Sequence, residues 1–145
     1  MLSAKHLAIL AQLRTDARMS LANISRATGI ATSTIFDYYS QLAKKAVLKH
    51  VCLLDFKALG YPLRKHFLIR VEERAKALAW LKRQAAVNNL YRVDEYDAFF
   101  DAYFADAAEL EDFKNGLTAA LKPHQVKEFD ILEELQQEAF VPKRV

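Results

Sequence analysis

The sequence predicts an α+β chain in two parts, a small head of three helices with a wing strand and a larger body of alternating strands and helices. Three observations carry this reading. Apolar residues recur at helical spacing in three short segments before residue 46, whereas strand-like alternation is brief over Val47–Val51 and sustained only from Leu63. Charge is divided unequally: residues 1–50 hold 7 Lys/Arg against 2 acids, and the rest holds 14 against 16. Aromatics run the other way, with 3 of 16 in the first fifty residues. A head that faces a polyanion and a body that packs or associates are expected, although ordinary fluctuation of surface charge gives the same counts.

Composition sets the outer limits. A chain of 145 residues that is 52% hydrophobic can fill a core and is not disordered. Only 3 Gly and 3 Pro point to long regular elements with few loops. No apolar run approaches the roughly 18–20 residues that span a bilayer. The opening MLSAKHLAIL places charge inside its apolar stretch and lacks a small-residue cleavage pattern, so no signal peptide and a cytoplasmic location are expected. Cys52 is alone and the four histidines are scattered, so neither a disulfide nor a metal or other cofactor is expected.

In the head, Leu7, Ile9, Leu10 and Leu13 mark a first helix ending at Thr15-Asp16. Ser20 stands as an N-cap before Leu21, Ile24 and Ala27, and Gly29 closes that second helix. Thr32 caps a third, with Ile35, Tyr39, Leu42 and Ala46 facing inward. Two helices joined by a short turn containing glycine form a helix-turn-helix, whose second helix enters the major groove. Ser33, Thr34, Asp37, Ser40, Gln41 and Lys44 then project outward. Their hydroxyls and amide suit base edges, Lys44, Lys45 and Lys49 suit phosphate, and Asp37 can accept from a cytosine amino group. Val47 to Val51 is β-branched and partly alternating, which fits one strand of a wing. A small bundle with a solvated polar face is the competing reading. The expected domain spans residues 1–54, with a junction over 55–62.

The body, residues 63–145, opens on a strand in which Phe67, Ile69 and Val71 alternate. A helix over Glu72–Ala86, strands over Leu90–Tyr96 and Ala98–Phe104, a helix carrying Leu110, Phe113, Leu117 and Leu121, and a strand over Val126–Leu132 follow. Asp94 to Asp97 is short and polar enough for a hairpin. The order β-α-β-β-α-β is the ferredoxin-like arrangement, one antiparallel sheet with both helices on one face. Phe99, Phe100, Tyr103 and Phe104 occupy both strand faces, so one face is expected in the core and the other, around Phe99, Tyr103 and Phe104, under a partner sheet. Trp80 is expected to cover an edge or an interface, and Glu138 to lie on a solvated C-terminal segment.

An ordered set of short motifs carries a resemblance. Asp-Ala-Arg-Met-Ser at 16–20, Ile24 with Gly29-Ile30, Ser33-Thr34-Ile35, Leu42, Val47-Leu48, and Leu54-Asp55 with Leu59-Gly60-Tyr61 follow one another as in the Lrp/AsnC (leucine-responsive) transcriptional regulators. The resemblance implies a winged helix-turn-helix that binds double-stranded DNA. It also implies a second domain that makes a homodimer or higher homo-oligomer and takes amino acids or related effectors between subunits. Position 38 is Tyr where that family usually has a DNA-contacting Arg; Tyr38 can still bond a phosphate. The family's Gly-x-Tyr/Phe-Asp turn falls on Asp94, Tyr96 and Asp97, the implied effector residues, with Asp94 in place of glycine. The added negative charge is expected to favour a cationic or neutral ligand.

Two other classes remain open. Siroheme-decarboxylating enzymes resemble the same family across both domains, and His66 with Arg64 and Lys65 is the one hint of a tetrapyrrole cleft. A non-specific, chromatin-like DNA protein is the other, for which a net head charge of +5 is low.

Overall fold

The computed structural model describes residues 2–142. It divides into two units, Met1–Leu53 with Leu135–Val145, and Leu54–Glu134. The last segment thus belongs with the head and not, as expected from sequence, with the body. Arg14 makes that attachment: its Nε donates to the Phe140 carbonyl at 3.2 Å and its guanidinium pairs with Glu138 at 3.1 Å.

The head consists of α1 (Ala4–Thr15), α2 (Leu21–Thr28) and α3 (Thr32–Lys45). Its fully buried core is four aliphatic residues, Ile9 from α1, Ile24 from α2, and Ile35 and Leu42 from α3. Burying each such side chain stabilises by roughly 1.5–3 kcal/mol, so the three helices hold together only as a set. Ser20 caps α2 by accepting from the Asn23 amide at 3.2 Å. Gly29 ends it in the left-handed conformation at φ 71, where a side chain would be strained.

Several expectations for the head need correction. Thr32 is the first residue of α3 and not its cap, which is Ala31, and Ala46 is exposed. Ala27 is exposed, and the buried stripe of α2 runs through Leu21 and Ile24. On α3 it is Tyr38, not Tyr39, that packs on the core; Tyr39 stacks on His50 with centroids 6.2 Å apart. Val47 to Val51 does not form a strand. Val47 folds back onto α3, its amide donating to the Leu42 carbonyl at 2.9 Å. The remaining backbone finds no second strand among the described residues, and a strand exists only as one of a pair.

The body runs β1 (Leu63–Arg70), α4 (Arg74–Lys82), β2 (Val87–Tyr91), β3 (Ala98–Phe104), α5 (Ala107–Leu121) and β4 (Gln125–Asp130). The sheet is antiparallel in the order β2-β3-β1-β4, which is the ferredoxin-like arrangement. α4 is shorter than its apolar pattern because Arg83 and Gln84 turn the chain, and β2 therefore starts earlier than expected. Phe67 and Ile69 of β1 and Ala98, Phe100, Ala102 and Phe104 of β3 all face the helices. Phe113 of α5 is the hub, with the rings of Phe67, Trp80, Phe100 and Phe104 centred 5.3–6.1 Å away. Trp80 is thus part of the core packing, and Phe104, expected on the partner-facing side, is buried.

The opposite sheet face carries a buried carboxylate. Asp101, 3% exposed, accepts from the Asn89 amide at 2.8 Å and pairs with the Arg64 guanidinium at 3.1 Å. Removing one partner of a buried pair strands the other. Asp101→Ala should lower stability by about 3 kcal/mol. Exposed Glu133→Ala should change it by less than about 0.5 kcal/mol; urea midpoints of the two variants followed by circular dichroism give the comparison.

Candidate nucleic-acid interface

α3 presents its polar face because its apolar residues have nowhere else to go. Ile35, Tyr38 and Leu42 point into the head, so positions a half-turn away are exposed. Ser33, Asp37, Lys44 and Lys45 lie there, with Thr34 half-buried on the flank and Lys49 exposed just beyond the helix. Ala31, the N-cap residue, offers no side-chain acceptor, and the two lysines occupy the last turn. The helix therefore offers hydroxyls early, a carboxylate in the middle and positive charge at its end, an order that suits base edges and then phosphate.

Two residues expected on that face are held by the head. His6 of α1 is buried, and the backbone amide of Ser3 donates to its Nδ1 at 3.0 Å. That nitrogen is then the acceptor, which leaves the ring hydrogen on Nε2 to be donated to Gln41 Oε1 at 3.1 Å. Tyr38 meets the same imidazole edge-to-face at 4.3 Å. Gln41 is thus a clamp between α3 and α1 through its oxygen, and the half-buried Tyr38 packs its ring on the head's core. One exposed residue escaped the polar reading of the face. Phe36 is 59% exposed, three residues after Ser33 and four before Ser40, a spacing that already placed it on the outward stripe.

The turn between β2 and β3 is not the acidic patch its sequence suggests. Asp97 spends both oxygens locally, accepting from the Val71 amide at 2.8 Å and from Arg74 Nε at 2.9 Å. The Val71 hydrogen bond and the Arg74 charge hold its carboxyl below the ordinary carboxylate range, against the opposing effect of burial. Tyr96 lies under two cations, Arg70 at 4.8 Å and Lys127 at 5.4 Å. The left-handed backbone falls on Glu95 at φ 65 and not on Asp94, so Asp94 needs no glycine conformation. Arg74 and Arg92 border the same hollow as Asp94 and Glu95, so its charges are mixed.

Residues 2–48 match the family described as winged helix-turn-helix DNA-binding. That match is confined to the head. The HTH-type transcriptional regulator FL11 of Pyrococcus horikoshii is 27% identical over 105 residues, 70% of each chain. Among solved structures, the transcriptional regulator NMB0573 of Neisseria meningitidis, in complex with L-Met, superposes with a TM-score of 0.88 at 17% identity, covering 98% of this chain and 97% of that one. AsnC of E. coli gives 0.85 at 18% identity, covering 98% and 99%. The chain thus has the Lrp/AsnC fold over nearly its whole length.

The basic trio at 64–66 does not form a cleft. Lys65 points to the helix side, where it pairs with Glu128 at 2.9 Å and Asp130 at 2.5 Å. Arg64 and His66 are on the other face, Arg64 on Asp101 and His66 edge-to-face with Phe99 at 5.2 Å. Burial holds the His66 imidazole below its ordinary pKa. Alternation along β1 separates residues that adjacency in sequence seemed to unite.

Because the Asp97 pKa is depressed in the folded state, its contribution to stability is present above the ordinary carboxylate value, about 3.9. It is lost as pH falls from there toward the folded-state value. Asp97→Asn should cost stability at pH 7 and flatten the acid side of the stability curve. Urea midpoints measured from pH 7 down to about pH 3 check both.

Proposed function

We propose that the protein is a sequence-specific transcriptional regulator that reads double-stranded DNA with α3 and assembles through its body, with no enzymatic role. One observation carries the reading: the exposed face of α3 lines up Ser33, Asp37 and Lys44, with Lys45 beside them, on the second helix of a helix-turn-helix. Ser33 and Thr34 are positioned for base edges, Asp37 for a cytosine amino group, and Lys44, Lys45 and Lys49 for phosphate. Gln41 contributes by fixing the angle of α3 on α1.

Assembly is supported by the sheet face away from α4 and α5. Leu68, Phe99, Tyr91 and Phe129 lie on it, the last two 52% and 49% exposed. A sheet with helices on one side only needs either a polar second face or a cover, and this face sets the rings of Tyr91, Phe99 and Phe129 among Arg64, His66, Asp101 and Lys127, a mixture of the kind that interfaces bury. A two-fold dimer would bring two recognition helices to half-sites roughly 34–36 Å apart or a multiple of that. A small-molecule effector is proposed at the hollow of Arg74, Arg92, Asp94 and Glu95 beside Tyr96. Its mixed charges suit a zwitterion better than the cation or neutral molecule that Asp94 and Asp97 suggested, and the Neisseria relative was solved with L-Met.

The DNA assignment is tested by salt titration on the protein's own upstream DNA. Lys44→Ala with Lys45→Ala should weaken binding to all sequences and reduce the slope of log K against log salt by about 2. An unchanged slope would remove both lysines from the interface. Assembly is tested by light scattering at micromolar concentration, where a mass of at least a dimer is expected and a clean monomer contradicts the reading.

A further inference from the structure

We propose that Phe36 is a specificity-determining residue that reads the 5-methyl group of a thymine in the major groove, an inference that rests on the DNA-binding reading above. Phe36 is the only exposed large apolar side chain on α3, 59% open to solvent. It takes no part in the head's apolar cluster, and no aromatic side chain among the described residues stacks on it. It stands one turn from Ser33 and one from Ser40, on the outward stripe that also carries Asp37 and ends at Lys44. The ring lies outside the head's apolar cluster and on the same stripe as Ser33 and Asp37, so it is available to whatever that face contacts.

The chemistry of that partner follows from the neighbours. Asp37 beside it is an acceptor, Ser33 is a hydroxyl, and Lys44 and Lys45 supply positive charge at the end of the helix. An apolar protein surface placed on Phe36 would have to desolvate Asp37, Lys44 and Lys45, whereas DNA offers phosphate to the two lysines and a cytosine amino group to Asp37. Ser40 already donates its hydroxyl hydrogen to the Phe36 carbonyl at 2.9 Å, so toward a base it can only accept. Among the groups that base pairs show in the major groove, the thymine methyl is the apolar one, and Phe is a side chain able to cover it.

The test uses the full-length protein and the site it selects from random duplexes. Each thymine of that site is replaced in turn by deoxyuridine, which removes the methyl and nothing else. One thymine per half-site should lose about fourfold in affinity, the value of one buried methyl group. Phe36→Ala should bind the site more weakly and lose its sensitivity to that same replacement, while Phe36→Leu keeps part of it. Because the side chain is exposed, the circular dichroism and mass of both variants should match the unmodified protein. If the protein prefers its site yet ignores every replacement, or if Phe36→Ala keeps the full methyl effect, the inference fails and the DNA-binding reading stands. If Phe36→Ala changes the mass, the ring covers a second copy and the inference fails. If no site is preferred over scrambled DNA, the DNA-binding reading fails and this one with it.

Discussion

The period-two alternation of β1 and β3 is the constraint on which the body depends. Seven successive residues of β3 are sorted by it, with Ala98, Phe100, Ala102 and Phe104 turned toward the helices. The small residues leave room for Phe113 to settle among the rings of Phe67, Phe100 and Phe104, so a single α5 side chain ties the helix layer to two strands. The same alternation turns Phe99, Asp101 and Tyr103 to the other face. Asp101 is kept there by Arg64, which also lies against the Tyr103 ring at 5.3 Å. A face that combines aromatic rings with one neutralised carboxylate is suited to burial against another sheet.

The head solves a different problem with less material. Four aliphatic side chains are too few to define helix angles closely, because apolar contact has no direction. Direction comes from the buried His6, which is fixed by Ser3 on one nitrogen and by Gln41 on the other. A hydrogen-bonded imidazole between α1 and α3 sets the rotation of α3, and that rotation decides which of its residues face outward. The exposure of Ser33, Phe36, Asp37 and Lys44 follows from the burial of Ile35 and Leu42, and the His6–Gln41 contact adds a directional bond to that packing.

The turn before β3 shows how a structural role can resemble a ligand site. Asp97 is placed by the Ile69 carbonyl, which accepts from its amide at 2.9 Å, and its carboxylate closes the start of α4 through Val71 and Arg74. Its negative charge is thereby neutralised inside the protein. What stays accessible in the hollow is a pair of arginines and a pair of acids, Arg74 and Arg92 with Asp94 and Glu95.

Local chemistry by itself determined the order of the elements. Helical spacing, the Ser20 cap, the Gly29 stop and the alternation of β1 and β3 act within a few residues, so the helix-turn-helix and the β-α-β-β-α-β order were legible, with β3 and the end of α5 at their expected places. Periodicity also marks a face of α3, but its resolution is about one residue in a turn, which is why Tyr39 and Tyr38 were exchanged. Tertiary structure decided what depends on a distant partner. Gln41 is a clamp because of His6, 35 positions away, Asp97 is neutralised by Arg74 from the preceding helix, and the stretch after α3 stays out of a strand for want of a second one. Arg14 likewise draws residues 138–140 to the head across more than a hundred positions. Hydrogen bonds and ion pairs between remote residues leave no period in the sequence, so only the folded chain shows which polar groups are spent on the protein and which remain for a partner.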